Sequence, residues 1–469
     1  MHILAWTRID PRPYVEGVNA QTSSPASPRL TPSGRAGTGP VTTGPATAGP
    51  TITGATITPV AFADPPLLNT VGVHEPFALR AIVQVHTDAG VTGLGETYGD
   101  AAHLARLRLG AEAVVGADAF NTNDLRRRIT RALARDTTTG GHGMSGMVTG
   151  SATADRVLSP FDVASLDLQG KVLGLPVSSL LGGALRDSVA FSGYLFYKWA
   201  GHPGAGPDAF GEALDPAGVV AQARALVDAH GFTALKLKAG VFHPDAECEA
   251  IEALRAEFPD LPLRIDPNGA WTVETSVAVA ERLGGILEYL EDPTPGIDGM
   301  ATVRRRTGTP LATNMCVVGF ADIPPAVAAG AVDVVLSDHH FWGGLRRSQM
   351  LGGVAETFGW GLSMHSNSHL GISLAAMVHL AAATPNVDYA CDTHIPWKDP
   401  SEDVVVPGVL AIRDGSVAVP TGPGLGVELD EDALARLHEQ YLRAGLTERD
   451  DTGYMRRFQP DFDPSPARW

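Results

Sequence analysis

The feature that most limits how this chain can fold is a polar residue returning at the end of one apolar run after another. Ala234-Leu-Lys-Leu-Lys238, Leu261-Pro-Leu-Arg-Ile-Asp266, Ile286-Leu-Glu-Tyr-Leu-Glu291, Val332-Asp-Val-Val-Leu-Ser-Asp338 and Gly361-Leu-Ser-Met-His365 share this form, and Asn314 and Asp392 fall in the same series. The stops are roughly 23–28 residues apart, the length of one strand, loop and helix. Buried strands that each end in a polar group describe a parallel β/α barrel, whose reactive side chains gather at one mouth.

The chain's 469 residues, 44% of them hydrophobic, suffice for more than one domain with a large core. No apolar stretch approaches the roughly 20 residues needed to cross a bilayer, so no membrane association is expected. The opening Met1-His-Ile-Leu-Ala-Trp-Thr-Arg8 lacks the pattern of a secretory signal. Cys248, Cys316 and Cys391 are odd in number and lack metal-ligand spacing; they read as reduced thiols in a cytoplasmic protein. A net charge of −17 argues against a nucleic-acid partner. It does not exclude an anionic small molecule, provided a divalent cation and a few basic side chains converge locally.

Residues 18–56 are rich in Gly, Pro, Ser, Thr and Ala and read as a low-complexity, disordered insert. They follow a first strand placed in residues 1–17. Residues 57–188 read as an α+β capping domain, in which Phe77–Thr87, the Asp88-Ala-Gly90 turn and Val91–Thr97 form a hairpin. Helical periodicity follows from Ala101 to about Leu133, and a buried helix is expected from about Pro160 to Val172. Residues 189–425 hold the β/α repeats, with helix starts at Pro244-Asp245, Asp322-Ile-Pro-Pro325 and Gly371-Ile-Ser-Leu374. Residues 426–469 contain an amphipathic helix and are expected to pack back on the capping domain.

Asp266, Glu291 and Asn314 end three consecutive repeats, and three hard oxygen ligands suit Mg2+, which keeps waters and binds substrate oxygens. One Asp before Pro-Asn-Gly is more often only a turn former; three such groups at equivalent positions favour the metal reading. Lys236 and Lys238 alternate with apolar neighbours and so share a face. Two ammonium groups held together repel, which makes one easier to deprotonate near neutral pH. Asp338 and His365 fall on adjacent strands and suit a carboxylate-oriented imidazole, a second acid/base on the opposite side. His339, His340 and His369 are further candidates that spacing does not favour over His365.

These residues, together with Gly193-Tyr-Leu-Phe-Tyr197, Asp266-Pro-Asn-Gly-Ala-Trp271, Glu291-Asp-Pro293, Ala312-Thr-Asn-Met315, His340-Phe-Trp342, His365-Ser-Asn-Ser-His369, Asp392-Thr-His394 and Pro423-Gly-Leu-Gly-Val-Glu-Leu-Asp430, resemble the enolase superfamily, and within it the glucarate dehydratase group. The resemblance runs from about Ile57 to the C-terminus. It implies an α/β fold, a (β/α)7β TIM-like barrel with an N-terminal α+β capping domain completed by C-terminal residues. It further implies a lyase that removes the proton α to a carboxylate of a hexarate, most simply D-glucarate or L-idarate, and eliminates water. Mg2+ at Asp266, Glu291 and Asn314 would stabilise the resulting charge, a chemistry known for the superfamily. Lys238 and His365, the latter oriented by Asp338, would be the bases for the two configurations at C5, and Lys236 would sit by the reacting carboxylate. Tyr194, Phe196, Asn268, Ser366, Asn367, His394 and Arg449 match the group's substrate-contacting positions, and a homo-oligomer is expected.

The sequence departs from the group in three places. A substrate-contacting histidine of the group is replaced by Ala63, before Asp64; the loop around Thr153 differs; and Asp338-His339-His340 stands in place of Asp-Pro-His. Retained proton abstraction with altered hexarate recognition is the expected consequence. The alternatives are a dehydratase or epimerase of another acid sugar, or a catalytically weak paralogue serving as a partner subunit.

Overall fold

The computed structural model describes residues 49–136 and 153–469. The strand expected in residues 1–17, most of the insert and the Gly140–Gly146 loop lie outside them. Two layers carry the architecture: an antiparallel capping sheet with its helices, and a ring of parallel strands with helices outside.

The capping sheet has strands Ile52–Ala63, Phe77–Thr87 and Thr92–Tyr98 in that spatial order, all antiparallel. The first strand begins at Ile52, not Ile57, because residues 52–56 still pair with Gln84–Thr87 across an irregularity at Gly54. The end assigned to the insert is thereby corrected. β-branched Ile52, Thr56 and Ile57 suit a half-buried strand. The turn at Asp88–Val91 places Gly90 at φ 70°, a conformation glycine adopts without strain. Gly93 and Gly95 alternate along the third strand because helix Thr153–Leu173 lies directly against it; a Cβ at either would run into the carbonyls of Ala164 and Pro160. The helical periodicity of 101–133 resolves into two helices, Ala101–Val114 and Thr122–Ala132, broken around Gly116, which has φ 74°.

Seven parallel strands follow in strict neighbour order: Gly193–Phe196, Leu235–Lys238, Leu263–Asp266, Leu287–Glu291, Leu311–Thr313, Val334–Ser337 and Gly361–Met364. All but one are followed by a single main helix; two follow the sixth strand. Asp215 caps helix Pro216–His230 through the Gly218 amide, with Pro216 in its first turn. Extended segment 387–392 closes the ring. Asp392 N–H donates to Met364 O at 2.8 Å on one side, and Ser192 N–H donates to Cys391 O at 2.8 Å on the other. This is the (β/α)7β arrangement.

Helix Glu431–Ala444 lies on the first capping strand, where His438 Nδ1 meets Pro59 O at 2.7 Å and Gln440 donates to Ala61 O at 3.2 Å. The C-terminal segment therefore completes the cap side. No helix among the described residues is long and apolar enough to cross a membrane, and Cys248, Cys316 and Cys391 are free thiols.

Candidate active site

The barrel strands deliver their polar residues to one end, where the cap covers them. Lys236 and Lys238 stand on the second strand and Asp266 ends the third. Glu291 ends the fourth, and Asn314, Asp338 and His365 directly follow the fifth, sixth and seventh. All seven are buried.

The centre of this ring is an ion cluster. Lys236 Nζ lies 2.6 Å from Glu291 Oε2, 2.7 Å from Asp392 Oδ2 and 3.6 Å from Asp266 Oδ2. Lys238 Nζ lies 2.7 Å from Asp266 Oδ2. The expected mutual repulsion of the lysines is overridden at Lys236: burial alone would lower its pKa, but Asp392 and Glu291 outweigh it and hold it well above the ordinary lysine value. Asp266 is likewise held below 3.8, its burial outweighed by Lys238 and Lys236. Burial and the charge of Asp266 push Glu291 well above the ordinary carboxylate value.

Two positions in the cluster are underpaired. Glu291 touches only the Lys236 ammonium, while its Oε1 and both amide atoms of Asn314 have no hydrogen-bond partner among the described residues. Buried polar atoms are seldom left so. Asn314 is nevertheless firmly placed, because Asp292, at φ 36°, accepts from its N–H at 2.8 Å and from Thr313 Oγ1 at 2.5 Å. The donor set Asp266, Glu291 and Asn314 fits a hard, oxygen-liganded divalent cation. With all five side chains counted at their formal charges, Asp266, Glu291 and Asp392 against Lys236 and Lys238, a dication would turn a formal local charge of about −1 into about +1, and so favour the ionised form of Glu291.

Opposite, Asp338 Oδ2 lies 3.0 Å from His365 Nδ1, and its Oδ1 lies 2.8 Å from His340 Nδ1. Burial opposes ionisation of Asp338, but His340 and His365 outweigh it and hold this carboxyl well below 3.8. Asp338, His339 and His340 have metal-ligand atoms within 4.8 Å of one another, yet the Asp338 oxygens and both His340 nitrogens are already engaged by protein groups.

Lys238 and His365 line one cavity with Tyr194, Phe196, Ser366, Asn367, His394 and Arg449. Tyr194 covers Lys236, its ring centroid 4.7 Å from Nζ. His394 packs on Tyr194 and Phe196, and its Nδ1 lies 3.0 Å from Ser366 Oγ. Asn367 donates to Tyr98 of the cap at 2.8 Å. Lys236 and Asn268 do not line this cavity. Lys236 lies beneath it in the ion cluster, and Asn268, at φ 55°, turns its N–H onto Asp266 Oδ1 at 3.0 Å.

Arg449 reaches the cavity but is largely committed. Its Nε and Nη2 pair with Asp451 at 2.8 and 2.9 Å, and its Nη1 pairs with Asp64 at 3.0 Å. The same Asp64 oxygen lies 3.2 Å from His74 Nδ1. His74 lines the cavity, and its Nδ1, though close to Asp64, has no hydrogen-bond partner of good geometry among the described residues. Sequence reasoning missed this imidazole, which enters close to where Ala63 lacks one. The only signal was its place eleven residues after Ala63, before Glu75-Pro76. Thr153 opens its helix and does not line the cavity.

With this geometry in view, the comparisons are consistent. The family model described as Enolase C-terminal domain-like matches residues 218–433, and the Mandelate racemase / muconate lactonizing enzyme, N-terminal domain model matches residues 53–182. A probable glucarate dehydratase of Streptomyces coelicolor is 53% identical over 421 residues, covering 88% of this chain and 97% of that one. The chain belongs to the enolase superfamily. Among solved structures, an enolase of Mycobacterium smegmatis complexed with tartrate is 65% identical with a TM-score of 0.86, covering 89% of this chain and 98% of its own. An enolase of Thermobispora bispora complexed with magnesium and formate is 58% identical with a TM-score of 0.88, covering 89% and 100%. Membership accounts for the barrel and cap; the choice of substrate rests on the cavity walls.

Proposed function

We propose that this superfamily member is a magnesium-dependent hydro-lyase for a hexarate, D-glucarate or its C5 epimer L-idarate, yielding a keto-deoxy acid in the cytoplasm. The observation that carries this reading is that Lys238 and His365 line one cavity above a cluster whose Glu291 and Asn314 atoms lack partners. The 53% identity to a probable glucarate dehydratase supports the substrate class.

Asp266, Glu291 and Asn314 would hold the cation, which when bound neutralises charge building on the substrate carboxylate. Lys238 takes the α proton of one C5 epimer and His365 that of the other. The C–H electron pair becomes a carbon–carbon double bond as the β-hydroxyl leaves with a proton from His365. The products are water and an enol that tautomerises to the keto acid. Lys236, fixed by Asp392, keeps positive charge beneath the carboxylate. His394, whose burial and neighbouring His74 and His369 hold its pKa well below 6.5, serves as a neutral hydrogen-bonding wall. Arg449 keeps two unpaired N–H groups, and His74 a place on the cavity wall, for the distal end of the diacid.

The test is incubation of the purified chain with Mg2+ and D-glucarate, L-idarate or galactarate, followed by a semicarbazide assay. Keto-acid release with one of the three is expected. Solvent deuterium entering the substrate without loss of water would instead make the chain an epimerase. No turnover of any acid sugar would leave the partner-subunit reading standing.

A further inference from the structure

His340 sits on no barrel strand and is not among the residues lining the cavity of Lys238 and His365, yet it is held from both ends. Its Nδ1 lies 2.8 Å from Asp338 Oδ1, and its Nε2 lies 2.9 Å from Arg80 Nη2 and 3.0 Å from Ser373 Oγ. Arg80 belongs to the capping strand Phe77–Thr87 and is 1% exposed. Its Nε donates to Glu96 Oε1 at 2.8 Å, and its guanidinium stands 4.8 Å from the Tyr98 ring centroid. Glu96 in turn accepts the Leu370 and Ser373 amides at 2.9 and 2.8 Å, where helix Gly371–Ala383 begins.

The chemistry of these groups orders the protons along the row. A guanidinium has donors only, so His340 Nε2 must accept, and the one proton of its neutral ring is on Nδ1. That Nδ1–H donates to Asp338 Oδ1, which also accepts the His340 amide at 2.9 Å. With Oδ1 taken by two donors, Oδ2 is left to accept from His365 Nδ1–H. His365 Nε2 is thereby the nitrogen that exchanges protons with the cavity. Without Arg80 the ring of His340 could carry its proton on Nε2 and give it to Ser373. A bare Nδ1 would then oppose Asp338, and the carboxylate would lose its fixed orientation.

We infer that Arg80 and His340 are positioning residues through which the capping domain fixes Asp338 and so selects the working tautomer of His365. The proposal rests on the reading of His365 as the acid/base. The competing idea is that Arg80 and Glu96 merely fasten the cap to helix Gly371–Ala383. The two differ in what they do to Lys238, which lines the same cavity as Arg80 but pairs with Asp266 and with no member of this row.

The experiment compares Arg80→Met, Arg80→Lys, His340→Leu and His340→Asn, each checked for folding by circular dichroism. His340→Asn keeps an N–H near the Nδ1 position but breaks the link to Arg80. One readout is the 15N spectrum of the resting protein labelled at histidine, with the His365 signals assigned from His365→Asn. A single Nδ1–H tautomer is expected in the wild type and Arg80→Lys, and a tautomer mixture in Arg80→Met and His340→Leu. The other readout uses whichever epimer still exchanges its α proton with D2O in His365→Asn. Arg80→Met and His340→Leu should lose about 10–100-fold in water elimination, less than the roughly 10²–10⁴-fold that a positioned acid/base supplies when intact, while that exchange stays within about twofold. Arg80→Lys and His340→Asn should recover much of the elimination rate. Parallel loss of exchange and elimination, or an unchanged His365 tautomer in Arg80→Met and His340→Leu, would overturn the inference. If Arg80→Met does not fold, the His340 pair decides. A wild type that turns over no acid sugar would defeat the proposed function, and the tautomer readout would still judge this one.

Discussion

Two groups of side chains face each other across the cavity. The strand-end ring of Lys236, Lys238, Asp266, Glu291, Asn314, Asp338 and His365 stands on or directly after six consecutive strands, each with its position fixed by parallel pairing. The rim of Asp64, Asn69, His74, Arg449 and Asp451 comes from loops and short elements of the cap and the tail, joined across more than 370 residues by contacts such as the Glu75 amide donating to Asp451 at 3.2 Å. In the ring, opposite charges neutralise one another and leave Glu291 and Asn314 short of partners. In the rim, one guanidinium is shared by two carboxylates, and one of these also faces the His74 imidazole. On the proposed function, the ring would carry a reaction that many substrates could share, and the rim would decide which one enters.

The largest effects should come from breaking the ring. Lys238→Ala and His365→Asn are each expected to lower kcat about 10²–10⁴-fold. Each should also abolish α-proton exchange for only one of the two C5 epimers. A variant retaining near-wild-type kcat on both epimers would remove that residue from the chemistry. Chelation with EDTA should erase activity, and added Mg2+ should restore it in the wild type. In Asn314→Ala, restoration should need at least about tenfold more Mg2+, as for a site deprived of supporting groups. Equal requirements would place the cation elsewhere.

Breaking the rim should act on recognition. His74→Ala is expected to raise KM for the hexarate about tenfold, the scale of one hydrogen bond to a charged group, with kcat changed only a few-fold. An acid sugar with a hydroxymethyl group at its far end should be much less sensitive. If both substrates lose equally, or kcat collapses, His74 belongs with the ring and the contrast between the regions fails.

The ring was legible because a β/α barrel converts sequence period into spatial adjacency: the same residue type at each strand end must meet its neighbours. The dyad Asp338–His365 could be paired for that reason alone. Its extension through His340 to Arg80 could not, since Arg80 lies on a strand of another sheet and no periodicity relates 80 to 340. His74 was hidden for the same reason, entering the cavity from a loop after Ala63. The first strand's true start at Ile52 was obscured because Thr51-Ile-Thr-Gly-Ala55 continues the small-residue composition of the preceding segment, and only pairing with Gln84–Thr87 makes it a strand. Arg449 was rightly drawn to the cavity, but its two carboxylate partners, Asp64 and Asp451, could not be assigned from order along the chain.

The smallest expected effect is one that both regions share, and acid titration reads it. Asp338 in the ring and Asp64 in the rim are both buried carboxylates held below 3.8. Burial opposes the shift in each case; His340 and His365 outweigh it for Asp338, and His74 with Arg449 for Asp64. A carboxylate whose pKa falls on folding binds fewer protons in the native state than in the unfolded one. It therefore adds stability that is complete above pH 3.8 and is lost as the pH falls below 3.8 towards the folded value. Each such group contributes a slope of at most about 1.4 kcal/mol per pH unit in that window. Replacing either by Asn removes its share, so denaturant-measured stability should fall less steeply below pH 3.8 than in the wild type. Asp338→Asn and Asp64→Asn should therefore each flatten the profile, the first by removing the carboxylate held by two imidazoles and the second by removing the one held by His74 and Arg449. An unchanged slope in either variant would mean that its neighbours do not hold that carboxylate ionised in the folded chain.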